Sequence, residues 1–161
     1  MSIGKIIGFL FFIGVCLFAA VMYLALSPTI RNVSGNVALK KYLHRPLVTK
    51  RNALVVKCES VDYNFTEHVL VEKNETHCSL RYDIPAGSEF FIREFKTYKN
   101  ANSGFTYLYA LGEVTTGSGE KIQVEYNWGS TDLQQLARKP PHLPVALWQN
   151  EDDLRTIFAG N

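Results

Sequence analysis

The sequence predicts a mainly β protein: an N-terminal transmembrane helix, then a small SH3-like β-barrel with short flanking helices. Three observations predict it. Ile6 to Leu26 is an apolar run without a charged residue. From Ala53 onward, runs rich in β-branched and aromatic residues alternate with polar turns. After Gly129 the pattern turns helical and proline-rich. About six short strands joined by tight turns suit a strongly bent sheet, with a β-barrel preferred and a β-sandwich fragment as the alternative.

These shifts divide the chain of 161 residues into four parts: an anchor over 1–27, a basic juxtamembrane linker over 28–52, a β domain over 53–129 and a helical, proline-rich extension over 130–161. The soluble part, roughly 110 to 120 residues, is enough for one small core. A net charge of +2, with no clustered basic face, argues against nucleic-acid binding. There is no low-complexity segment and no repeat of fixed period.

Ile6 to Leu26 contains 21 residues. At about 1.5 Å per residue they span roughly 30 Å, the thickness of a bilayer's hydrocarbon core. The run is longer than a signal-peptide core of about 7–15 residues. Pro28, directly after Ala25-Leu26-Ser27, also spoils the cleavage pattern. An uncleaved signal anchor is therefore expected, with a cleaved signal peptide or a buried core helix as alternatives. Val15 before Cys16 departs from a lipoprotein site, which has a small residue there. Gly4 and Gly8 form one small-xxx-small pair, which leaves oligomerisation open.

Two rules disagree about the side the domain faces. Only Lys5 precedes the run, whereas Arg31, Lys40, Lys41 and Arg45 follow it. Taken literally, the positive-inside rule keeps the domain in the cytoplasm, but long domains translocate largely regardless of charge. Cys58 and Cys78, on neighbouring predicted strands, favour export. A disulfide between them closes a loop of about 20 residues, stabilises by roughly 3 kcal/mol and needs an oxidising compartment. Two buried free thiols are the alternative. The sequons at Asn32, Asn64 and Asn74 are short enough to arise by chance and carry no weight.

In the linker, Asn36 to Leu43 suits a short amphipathic helix, and Pro46 ends any longer one. Arg31, Lys40, Lys41 and Arg45 are candidate contacts to anionic lipid headgroups. The β domain opens with "ALVVKC", "EHVLVEK" and "HCSLRYDI". Pro85-Ala86-Gly87-Ser88 is a turn, with Gly87 free to take positive φ. "EFFIREFKTY" follows, with Phe90 and Ile92 expected on one face and Phe91 and Phe95 on the other. In "FTYLYALGEV", Gly112 predicts a bulge or a close backbone approach. "KIQVEYNW" alternates strictly: Ile122, Val124, Tyr126 and Trp128 inward, Lys121, Gln123, Glu125 and Asn127 outward. Helices are expected over Asp132 to Arg138 and from Asn150 to about Phe158, with Trp148 anchoring the segment between them.

The chemistry is sparse. His44, His68, His77 and His142 are scattered, and no CxxC, HExxH, GxSxG or phosphate-loop pattern occurs. No catalytic residue, metal ligand or cofactor is assigned, and an enzyme is not expected. Tyr98, Tyr107 and Tyr109, beside the polar loop holding Asn100 and Asn102, have the amphipathic composition of a recognition surface. Ordinary cross-strand packing is the competing account of these tyrosines.

A single short anchor, a domain of this size and no active-site motif resemble the layout of two groups of bacterial envelope proteins. These are prophage superinfection-exclusion proteins and membrane-anchored toxin-immunity proteins. The resemblance implies a single-pass inner-membrane protein with a periplasmic domain that blocks a protein partner at the membrane by stoichiometric contact. The alternative is a structural accessory subunit of an envelope secretion or assembly complex. No family signature residue is matched, so no site residue is carried over.

Overall fold

A computed structural model of the chain describes residues 3–59, 64–73, 77–101, 105–130 and 144–150. The helices expected over 132–138 and 150–158, and Asn102, lie outside the described residues, apart from Asn150 itself. The protein is mainly β, with one long and one short helix among the described residues. Helix α1 covers Ile3–Leu26, and the Ser27 hydroxyl donates back to Tyr23 O at its end. Along α1 the described side chains run unbroken only from Gly8 to Leu24. Among the described residues no helix is long and apolar enough to cross a membrane.

Strands β1 (Thr29–Asn32) and β2 (Pro46–Val48) flank α2 (Val37–Lys40). Strands β3 (Ala53–Cys58), β4 (Val69–Val71) and β5 (Cys78–Ile84) come next. A meander of β6 (Glu89–Lys99), β7 (Thr106–Thr115) and β8 (Lys121–Ser130) completes the sheet. The six strands expected from Ala53 onward are all present, with β4 trimmed to three residues.

Two expectations need correction. The sheet is a mixed, open one in the order β1-β6-β7-β8-β4-β3-β5, with β2 also on β6, rather than a closed barrel. A parallel pairing of β4 with β8 joins the β3–β4–β5 unit to the meander and leaves β5 at one edge, with β1 and β2 at the other. The second correction concerns 28–52, which is not a linker. β1 pairs with β6 at Thr29↔Lys99 through Asn32↔Lys96, and β2 pairs with β6 at Pro46↔Phe91 through Val48↔Glu89. Between them the Asn36 side chain caps α2 by accepting from Ala38 N at 2.9 Å. Leu39, Tyr42 and Leu47 enter the core.

The core sits on one face of the meander. Phe90, Ile92 and Phe95 all join it, because a register shift between Ile92 and Glu94 inserts one residue and reverses the pleat. Phe95 therefore moves to the face expected for Phe90, and Phe91 alone turns away. Gly112 faces this bulge, and a Cβ there would run into the Phe91 carbonyl oxygen. Only glycine fits so close to backbone. At the 85–88 turn Gly87 has φ +94°, and its N–H donates to Thr49 O at 2.8 Å.

Tyr42, Trp128 and Trp148 meet at the centre, with ring centroids 4.9–5.8 Å apart. Trp148 is buried and brings Ala146 and Leu147 with it, as expected of an anchor. The Tyr42 hydroxyl accepts from Gln149 Nε2 at 2.7 Å, and Trp128 Nε1 donates to Pro144 O at 2.8 Å.

Cys58 and Cys78 form a disulfide across the β3–β5 pair. Replacing both with serine should cost about 3 kcal/mol, read as a lower urea midpoint. Gly112→Ala should destabilise by about 1–3 kcal/mol, because the methyl meets backbone that cannot swing aside; an unchanged thermal midpoint would contradict the close approach.

Candidate functional site

The three tyrosines singled out in the sequence come together, but not as a free surface. Past the β6 bulge, Tyr98 turns to the face opposite the main core, where it pairs across the strands with Tyr107. Tyr109 and Leu111 follow at alternate positions on β7. Tyr98, Tyr109 and Leu111 are buried in a second, smaller cluster, with Tyr107 and Phe65 packed against it. Tyr98 and Tyr109 are therefore interior residues, and cross-strand packing accounts for them. Asn100 sits at the end of the hairpin, its N–H donating to Phe105 O at 2.9 Å. Of the basic residues, Arg31 lies in β1, while Lys40, Lys41 and Arg45 lie in and after α2. All four are exposed.

The cover over the tyrosines is the segment Asn64–His68, held by a carboxylate. Glu125 lies opposite Leu111 and, although expected to face solvent, is 1% exposed. Its Oε2 accepts the backbone N–H groups of both Phe65 and Thr66, the latter at 2.9 Å. The backbone N–H of Glu125 donates to His68 O at 3.0 Å, and Thr66 Oγ1 donates to the same carbonyl at 2.7 Å. The Phe65 ring meets Tyr109 edge-on at 5.1 Å, and Lys96 Nζ lies 5.4 Å from the Phe65 ring centre. One aromatic residue in the otherwise polar "NFTEH" is the only sequence signal for this cover; nothing in "KIQVEYNW" marks Glu125 for burial.

The electrostatics follow from the geometry. Burial pushes the Glu125 carboxyl up, and the two backbone N–H donors at Thr66 and Phe65 only partly offset it. Burial, with the negative charge of Glu125 added, pushes the Tyr109 hydroxyl up to about 12. Glu125 has a structural duty: one oxygen is committed to backbone donors. Among the described residues no group of three His, Cys, Asp or Glu side chains converges on a metal position. His44, His68 and His77 lie on separate segments, and His142 is outside the described residues.

A group whose folded pKa is raised stabilises the fold fully below its unfolded pKa and loses that contribution as pH rises through the folded value. The domain should therefore lose stability as pH rises above about 4, the ordinary carboxylate range. Glu125→Gln, which keeps an acceptor for both N–H groups, should flatten that slope in urea titrations at successive pH values. Glu125→Ala orphans two donors and should cost about 2 kcal/mol or more. A Glu125→Gln protein with the wild-type pH profile would contradict the assignment. No protein-family model, curated protein or solved structure matches this chain, so its fold and its cover stand on their own geometry.

Proposed function

We propose that the protein is a single-pass, signal-anchored envelope protein whose disulfide-bonded β domain lies outside the cytoplasm and acts by binding a protein partner at the membrane. The observation that carries this reading is the character of α1. The stretch of α1 whose side chains are described, Gly8 to Leu24, is too short by itself to cross a membrane, but the whole helix of 24 residues is about 36 Å long, the span of a hydrocarbon core. Its Phe9, Phe11, Phe18 and Leu24 are 61–75% exposed, an apolar surface that water does not support and lipid does. The 21-residue uncharged run from Ile6 to Leu26 supports the same assignment.

Two further features support the rest. The Cys58–Cys78 disulfide suits an oxidising compartment, on the far side of the membrane from the cytoplasm. The buried acid, Glu125, and the clustered tyrosines are engaged in holding the domain together, which favours contact over chemistry. A stoichiometric blocking role, of the superinfection-exclusion or immunity type, is the reading adopted.

A topology reporter tests the placement. Alkaline phosphatase fused after Asn161 should be active, and Cys58 and Cys78 should resist alkylation in intact cells until reduced. An inactive fusion, paired with a fluorescent cytoplasmic reporter at the same position, would contradict both the location and the binding role built on it.

A further inference from the structure

Chain connectivity decides which end of the sheet lies beside α1. Only Ser27 and Pro28 separate α1 from β1. Three Cα–Cα steps place Thr29 within about 11 Å of Leu26, whatever their conformation. Thr29 pairs with Lys99 at the end of β6, and Lys99 pairs with Thr106 at the start of β7. Neighbouring strands lie about 4.8 Å apart, so Thr106, at the described end of the β6–β7 hairpin, is roughly 10 Å from Thr29. That end carries Phe105, an aromatic residue 60% exposed, one residue before Thr106. Lys99 beside it is exposed, as is Ile30 on the adjoining strand.

The basic residues marked as headgroup contacts do not share this end, apart from Arg31, which pairs with Thr97. Lys40 and Lys41 come after Val33, whose N–H is bonded to Phe95 O. Arg45 adjoins Pro46, which pairs with Phe91. Phe91 is eight residues back from Lys99 along β6, about 26 Å at strand rise.

We infer that the end of the β6–β7 hairpin marked by Lys99 and Phe105 is seated in the bilayer interface, with Phe105 at headgroup level and Lys99 against lipid phosphates. Aromatic rings and lysines next to a membrane span occupy this layer, the ring half in apolar surroundings and the ammonium in the polar region. The domain is then fastened at two points, through α1 and through the hairpin end, and its orientation on the membrane is set. This inference rests on α1 being the membrane anchor.

The test uses the full-length protein in lipid nanodiscs, with Phe105→Trp compared with Glu120→Trp. Glu120 is exposed at the β7–β8 turn, about 30 Å from that end along β7. The native Trp128 and Trp148 are buried and are subtracted as the wild-type signal. The tryptophan at 105 should lose most of its added emission to lipids brominated near the headgroup and little to aqueous iodide. The tryptophan at 120 should show the reverse. Equal quenching of both by iodide, with neither quenched by lipid, would overturn the inference. Alkaline extraction of native membranes separates the two possible failures. Protein retained in the pellet with an iodide-accessible residue 105 leaves the anchor standing and removes only the seated end. Protein released to the supernatant removes the anchor, and the seated end with it.

Discussion

The contact among Tyr42, Trp128 and Trp148 is the one on which the rest of the fold depends. These rings come from three segments far apart in sequence: the turn after α2, strand β8 and the 144–150 segment. The meander alone would leave Phe90, Phe95, Tyr126 and Trp128 on an open face. Tyr42 and Trp148 cover that face, and Gln149 ties them together by donating to the Tyr42 hydroxyl. Burying an aromatic ring removes 150–250 Å² of surface from water, about 4–6 kcal/mol each at 25 cal/mol per Å². The residues just after α1 are thereby made part of the domain.

The opposite face is organised differently. Its small tyrosine cluster is closed by a short irregular segment, and the closure is polar. One carboxylate gathers two backbone donors where a strand pairing would otherwise have satisfied them. Burying that charge is unfavourable, but leaving the donors of Phe65 and Thr66 without an acceptor would be worse. The closure of this face is consequently pH-dependent, and acidity strengthens it.

Much of this architecture is legible in the sequence where the physics is local. The period-two pattern of "KIQVEYNW" reports the core face of β8 directly, and Gly112 announces the close approach that the β6 bulge imposes. Asn36 announces its helix because capping involves only neighbouring residues. What is not legible depends on partners distant in sequence. The pleat reversal that puts Phe95 with Phe90 depends on one inserted residue, which composition does not reveal. β1 and β2 are only four and three residues long, and they become strands only because β6 offers them an edge. The parallel β4–β8 pairing, which keeps the sheet open, joins residues more than fifty positions apart. Glu125 reads as a solvent residue because its burial is decided by Phe65 and Thr66.

For function, the chief consequence is mechanical. A domain on a flexible tether could reach partners at a range of heights, whereas a domain that begins at Thr29 stands directly on the helix that precedes it. On the proposed anchoring through α1, partner contact would be confined to a shell close to the membrane surface. Limited trypsin digestion of the full-length protein in nanodiscs tests this most directly. Residues 28–52 contain Arg31, Lys40, Lys41, Lys50 and Arg51, so a flexible tether there would be cut first. The account predicts that these sites resist cleavage under native conditions and that the domain remains attached to α1. Rapid cleavage within 28–52, releasing an intact fragment that starts near Ala53, would contradict it.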